Sequence, residues 1–599
     1  MHFMNPSTHR RRTAVLALAG AGLLFTATGC ATLPTSTEPH VLHPFNDQRA
    51  PMPVEEPREG MEPDLLLREF FAASANPTGD FEAARRYMTA PMAEMWAPRD
   101  ITFVLDSFDL TSRASTDQNK RSYSVAGRIV GYLLPGGAFQ PGDNRQYEAT
   151  MELSQQDGEW RIGALPNEVV IDRTDLRSHY EPRNLYYYDT TGQSLVSDRR
   201  WVYARVPSIE TLLMNMLVGG PEERIAPAVR SAIPEDVAFT GLNDGIYEFT
   251  GLADADEQTR ARFAAQVVWT LNEAGVRGPY SIKADGAALL DESVELTTDD
   301  FADLNPVPQP DGGPSLYTLS DGSIKAVSYP GGDDSEVESI PELDKIGDIS
   351  HIDISDDGAY AAAVNVSERE QALVFGRLGS DGNNGDSGRG NSNKASSREV
   401  LRAESLTRPS LEPDHTAAWT VLDGQRVVRL DRSSTNGEVT VNDVEMSLPE
   451  SLSGEISVLR LSQTGARVVM IIDGHLAVGV VERRDDGSRA VVNVVKYAAT
   501  ELGGAAVAVD WQPDGSLLVG TSIMNTPVYR VEMDGSTATA LPSGNISGPV
   551  VALGASDDTM YITDSKVLMQ MPVQIRENVN WREVPGQQGV RAAPVLPRP

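Results

Sequence analysis

The rhythm of apolar and polar residues divides this 599-residue chain into stretches of different kind. Arg10, Arg11 and Arg12 precede an apolar run from Ala14 to Phe25. That run is shorter than the ~20 residues a spanning helix needs. Residues 30–62 are rich in proline and have no apolar period, the pattern of an extended tether. From Pro63 a helical period begins. "PDLLLREFFAAS" places proline in the first turn and apolar residues at Leu65, Leu66, Phe70 and Phe71. "DFEAARRYMTAPMAEMW" follows, with Phe81, Ala84 and Met88 on one face. Then "ITFVLDSFDL", "YSVAGRIVGYLL", "YEATMELSQQDGEWRIGAL" and "EVVIDR" read as strands, with Asp157-Gly158 as a hairpin turn. Helices followed by an antiparallel sheet predict an α+β domain over residues 63–175.

A second α+β unit is predicted over residues 180–295. "NLYYYDT" and "RWVYARV" are strands. "SIETLLMNMLVGGP" is a helix capped by Ser208 and stopped at Gly219-Gly220-Pro221. A hairpin turns at Asn243-Asp244-Gly245. A long helix carrying Phe263, Val267, Val268 and Leu271 ends at Gly275. Residues 303–314, "DLNPVPQPDGGP", form a Pro/Gly linker. Beyond it a unit of strand, polar turn and strand recurs, with turns near Asp357, Asp414, Thr464, Asp514 and Asp557. The gaps of 57, 50, 50 and 43 residues bracket the ~40–50 of propeller blades. They predict an all-β propeller of about five to seven blades over residues 315–590. "GSDGNNGDSGRGNSNKASS", residues 379–397, reads as a solvated low-complexity insertion within one blade.

Composition changes the picture at two points. The chain has one cysteine, Cys30, so no intrachain disulfide is possible. The basic block, the apolar run and the small residues before Cys30 form a secretory signal over residues 1–29. "ATGC" resembles the bacterial lipobox, which implies cleavage between Gly29 and Cys30 and a lipid on the Cys30 thiol. The expected location is the extracytoplasmic face of the cell membrane. The second point is charge. The net charge is −34, and loss of the three arginines with the signal leaves about −37. That field repels phosphate backbones, so nucleic acid is not an expected partner.

The sequence carries no nucleophile elbow, HExxH, CxxC pair or P-loop. The mature histidines are His40, His43, His179, His351, His415 and His475, and only the first two, in the tether, are close in sequence. "DISDDG", Asp353 to Gly358, matches the first half of a calcium loop. Its twelfth position is Val364 rather than glutamate, so a hairpin turn is the better reading. Trp419 and Trp511 are expected in the core. No catalytic residue, metal ligand or cofactor site is expected, and the chain is read as a non-enzyme.

The first domain resembles the cone-shaped NTF2-like fold. The order of lipobox, tether, two α+β domains and propeller resembles the LpqB family of actinobacterial lipoproteins. The resemblance is most specific at "YYYDTTGQSLVSDRRWVYARVPSIETLLMNMLVGGP", "APAVRSAIP" and "QVVWTLNEAGV", which resemble the GerMN domain of that family. It implies an accessory protein acting with a two-component system, through the extracellular region of an MtrB-like sensor kinase. Only Cys30 carries over as a functional position. Two other readings remain: a lipoprotein that binds cell-wall glycan or peptidoglycan, and a propeller hydrolase with acids or histidines converging in a central channel. The tether places the first two domains nearest the membrane, where such a kinase would be met. The propeller, after its own linker, lies farther out or folds back.

Overall fold

The computed structural model describes residues 56–114, 116–230, 233–290, 295–306, 316–328, 336–367, 370–378, 398–575 and 579–597. Gly29, Cys30, the tether as far as residue 55, residues 307–314 of the linker and the 379–397 insertion lie outside the described residues.

The first domain opens with helix Pro63–Ser74, with proline in its first turn. Leu66, Leu67, Phe70 and Phe71 are buried, whereas Leu65 points outward and is 41% exposed. The helix rests on a sheet in the order Glu159–Ala164, Gln146–Gln156, Lys120–Leu133, Thr102–Leu105, Val169–Asp172. Its centre is the 14-residue strand Lys120–Leu133, whose alternation of buried and outward residues gives the sheet one apolar face. Phe70, Trp96, Leu105, Val125, Met151 and Ile162 share the core between helix and sheet. Asp157 and Gly158 turn the hairpin with φ of 53° and 86°.

Helix Arg173–His179 leads directly into the middle domain. Strands Tyr180–Asp189 and Leu195–Tyr203 form a long hairpin, joined by the short strand Val229–Arg230. The Asp189 carboxylate closes the hairpin tip by accepting from the backbone N–H groups of Thr191, Gln193 and Ser194 at 2.9–3.0 Å. Helix Ile209–Val218 starts at Ser208, whose hydroxyl accepts from the Thr211 N–H. Helix Glu257–Glu273 connects the parallel strands Ile246–Thr250 and Tyr280–Ala284, as a crossover must. Phe263, Val267, Val268 and Leu271 are fully buried beneath it.

From residue 316 onward the described residues form six successive antiparallel sheets of four main strands. Their innermost strands are Ala593–Val595, Ile349–Ile354, Ser410–Leu411, Ile456–Leu461, Ala506–Trp511 and Ala552–Ala555, taken here as blades 1 to 6. Each touches the next and the sixth touches the first, so the sheets close into a ring. The closing strand comes from the C-terminal end and pairs with Leu316–Ser320, which locks the last part of the propeller onto its first. The recurrent turn has a common chemistry. Asp357, Asp414 and Asp514 each accept a hydrogen bond from the backbone N–H two residues on, at 2.8, 3.1 and 2.9 Å. The next residue is left-handed: Gly358, Gly465 and Gly515 in blades 2, 4 and 5, but His415 in blade 3. Trp419 and Trp511 are both buried.

The propeller folds back against the two preceding domains. Trp201 donates its indole N–H to the Asp534 carboxylate at 2.8 Å, and Arg199 pairs with Glu532 at 2.5 Å. Arg467 donates to the Ser197 carbonyl, Asn493 to the Arg224 carbonyl, and Arg173 pairs with Glu501 at 2.7 Å. The first domain joins the same seam. A Cβ on Gly137 would lie 2.4 Å from the Trp201 carbonyl oxygen, so this close approach requires glycine. Arg200 donates to the Gly136 carbonyl while forming a buried bidentate pair with Asp198 at 2.7 and 2.9 Å.

Candidate functional site: the propeller funnel

The six inner strands start on one face of the ring and end on the other, at the first-to-second-strand turns. The middle domain occupies the turn face. Asp189, Thr191 and Ser194 of its hairpin tip share a small cleft with Glu412, Pro413, Thr464 and Gly465 of the propeller. The opposite face opens into a central funnel of about 640 Å³, lined by the first residues of all six inner strands and the loops before them.

Its floor is a cluster of four charges. Arg460 is buried, with Nη2 at 2.8 Å from Asp353 Oδ1 and Nε at 3.5 Å from Asp510 Oδ1. Arg408 stands beside it, with Nη2 at 3.3 Å from Asp353 Oδ1 and Nη1 at 3.5 Å from Asp510 Oδ2. Asp353 also accepts from the Leu411 N–H at 2.9 Å. Two buried carboxylates facing two guanidiniums balance, which is the condition for charge to persist in a core. His351 is exposed at its surface, yet the desolvating wall of the funnel and the positive charge of Arg408 lower its imidazole, which favours the neutral form near pH 7. Its Nδ1 meets the Ser350 hydroxyl at 3.0 Å.

This arrangement bears on the hydrolase reading, which requires converging acids or histidines in the channel. Asp353, Asp510 and His351 do converge. Asp353 and Asp510 are engaged by Arg460 and Arg408, while Glu455 is the carboxylate that lines the funnel above them.

Among the described residues, one group of histidine and carboxylate atoms gathers closely enough to hold a metal: Asp356, Asp357 and His415, within 4.8 Å of one another. It lies at the turns of blades 2 and 3, away from the funnel. His415 Nε2 is 3.6 Å from Asp356 Oδ1. Both aspartates serve the turn itself. Asp357 accepts from the Ser355 hydroxyl and the Ala359 N–H, and Asp356 accepts from the Asp357 N–H. Nearby, Glu412 accepts from Arg429 and from the Trp419 indole. Burial alone would raise its carboxyl; the hydrogen bonds and charge of Arg429 hold it below the usual glutamate range.

The sequence-expected site residues Gly29 and Cys30 lie outside the described residues, as do His40 and His43. The remaining histidines stand apart. His179 reaches the Asp175 carbonyl at 3.0 Å, and His475 begins the third strand of blade 4. Sequence reading missed the floor cluster, because Asp353, Arg460 and Asp510 are far apart in the chain and each sits in an ordinary strand.

Comparison with known proteins agrees with this division of the chain. A family model described as the N-terminal domain of lipoprotein LpqB matches residues 56–177. A sporulation and spore germination model matches residues 184–290, and a lipoprotein LpqB beta-propeller domain model matches residues 327–597. Lipoprotein LpqB of Corynebacterium diphtheriae is 36% identical, with 97% of this chain and 98% of that protein covered. Its counterpart in Corynebacterium jeikeium is 37% identical over 97% and 96%, and that of Rhodococcus opacus 33% over 99% and 99%. Among solved structures, a β-propeller domain from Myceliophteria thermophila aligns with 41% of this chain and 71% of its own at 9% identity and a TM-score of 0.26, too remote to carry an argument.

Proposed function

Since the chain belongs to the LpqB lipoprotein family, we propose that it is a lipid-anchored accessory protein on the extracytoplasmic face of the cell membrane. It modulates a two-component sensor kinase of MtrB type through protein–protein contacts. The observation that carries this reading is the seam. Trp201–Asp534, Arg199–Glu532 and Arg173–Glu501 tie the three folded domains together, so the chain presents composite surfaces of fixed shape. Such a body suits recognition.

In this account the signal over residues 1–29 is removed and Cys30 carries palmitate-class acyl chains. Two or more chains give firm attachment, each buried CH₂ contributing ~0.8 kcal/mol. Among the described residues no helix is long and apolar enough to cross a membrane. The packing of helix Pro63–Ser74 on its sheet supports an NTF2-like first domain. The cavity under that helix, about 10 Å³, has room for about one water, so the domain works as a scaffold rather than a ligand cup.

The test is fatty-acid labelling followed by crosslinking capture from intact membranes. Wild type should label and bring down the sensor kinase. Cys30→Ala should do neither. Labelling that persists in Cys30→Ala contradicts the anchor, and capture of no kinase by the labelled wild type contradicts the partner.

A further inference from the structure

The funnel has a largely aliphatic lining with most of its polar groups on one side. Blades 5, 6 and 1 supply chiefly Val507, Val509, Val551, Leu553 and Val595, with Arg591 beside them. Blades 2, 3 and 4 supply Ser350, His351, Thr407, Arg408 and Ser457 among Ile352, Leu406, Ile456 and Val458. Val507 and Val551 are 38% and 41% exposed, two of the few large apolar residues left open to water among the described residues. Both stay open to water although the first domain reaches the segment before blade 5, where Asn144 accepts from Thr500 and Arg173 pairs with Glu501. We propose that the funnel is a binding site for an amphiphilic anion: an aliphatic chain ending in one carboxylate or phosphate, its chain along the valine wall and its head on Arg408.

The size fits, since small-molecule sites occupy roughly 300–1,000 Å³ and this one holds about 640 Å³. The charges fit a head group of negative sign. Arg408 and Arg460 are balanced in charge by Asp353 and Asp510, and Arg591 by Glu455, but of the four floor groups the Arg408 guanidinium is the most open to the funnel, 21% exposed against 7% or less for the others. Asp353 and Asp510 lie buried beneath the arginines. In a chain of net charge −34, a concave surface faced by guanidinium groups is where an anion escapes the general repulsion.

The hydrogen bonding fits as well. Arg460 is buried with its Nε facing Asp510 Oδ1 at 3.5 Å, so the guanidinium within a ligand's reach is that of Arg408. Arg408 holds its two carboxylates at 3.3 and 3.5 Å, longer than the ~2.7–2.9 Å of a charge-assisted bond. Its side chain is 21% exposed to the funnel, so a head group can approach more closely than either aspartate does. A sugar or a nucleobase fits less well, because no Trp, Tyr or Phe lines the funnel to stack on a ring. The site stands independently of the kinase reading.

The test is calorimetric titration of the chain from residue 31 onward with decanoate, decyl phosphate and decanol, each below its aggregation limit. Decanoate and decyl phosphate should bind at least tenfold more tightly than decanol. Val507→Asp combined with Val551→Asp should weaken binding of all three at least tenfold without lowering the melting temperature, since both positions are open to water. Arg408→Gln should erase the preference for the anions over decanol. Sedimentation with phosphatidylglycerol vesicles, lost in the double variant, would identify a bilayer lipid as the source. Decanoate binding without vesicle binding would identify a free amphiphile. The proposal is overturned by absence of heat at millimolar decanoate, by equal affinity for decanol and decanoate, or by affinity unchanged in the double variant.

Discussion

The two faces of the propeller are built from the same six sheets and have opposite character. The turn face is consumed by the chain itself. There Asp534, Glu532 and Arg467 meet Trp201, Arg199 and the Ser197 carbonyl. The funnel face leaves Val507 and Val551 in water and turns guanidinium groups toward solvent above a neutralised floor. One face trades its polar groups for rigidity, and the other keeps surface available. A multidomain chain can thus hold a fixed shape and still offer a free face.

The sharpest way to break this comparison is at its centre. Arg460→Met should leave Asp353 and Asp510 buried with one guanidinium fewer beside them. Removing one member of a buried ion cluster costs about 3–5 kcal/mol, and chemical denaturation followed by tryptophan fluorescence should show it. A smaller effect is expected at the seam. Trp201→Phe removes the donor to the buried Asp534 carboxylate while keeping most of the apolar contact, a loss of about 1–3 kcal/mol. A double-mutant cycle with Asp534→Asn isolates the coupling, and additive effects would show the bond to be dispensable.

A pH scan separates the faces by window. His351 is held below the ordinary histidine value in the fold, so between about pH 6.5 and its folded value of about 4 the unfolded chain binds the extra proton. Its contribution is complete above pH 6.5 and is lost as pH falls toward 4. Glu412, also depressed, contributes above the ordinary glutamate value and loses that contribution only as pH falls below it. His351→Gln should therefore flatten the funnel-face part of the scan, and Glu412→Gln the more acidic part. The smallest effect expected is with chelator. EDTA should leave the melting temperature unchanged, because Asp356 and Asp357 already accept turn hydrogen bonds.

What the sequence disclosed follows from where each signal lives. The blades were legible because the corners of blades 2, 3 and 5 carry an Asp that accepts the turn N–H, and a left-handed residue, glycine in two of the three, follows. Both leave local marks at intervals of about fifty residues. The ring's closing strand, Ala593–Val595, was not legible: three residues pair with a strand near residue 316, and nothing local announces it. Leu65 belongs to the apolar set that marks the helix in the sequence, but one residue is a 100° turn of the helix. With Leu66 and Phe70 on the sheet, it faces solvent. The seam escaped because Arg199 and Trp201 alternate as any strand residues do, and their partners lie 333 residues away. The funnel escaped for the same reason, since six short strand starts compose it.

The account's central claim is contact with a sensor kinase, and two equally exposed methionines offer the direct test. Met95, 70% exposed, ends a short helix of the first domain, and Met524, 69% exposed, lies in a loop on the funnel face of blade 5. A photo-crosslinking amino acid placed at each, in the lipid-anchored full chain in its own membrane, reports which surface meets the kinase. The account predicts a covalent adduct with the kinase from position 95 and none from position 524. An adduct from position 524 alone would move the contact to the propeller, and no kinase adduct from either position, with the chain acylated and folded, would contradict the claim.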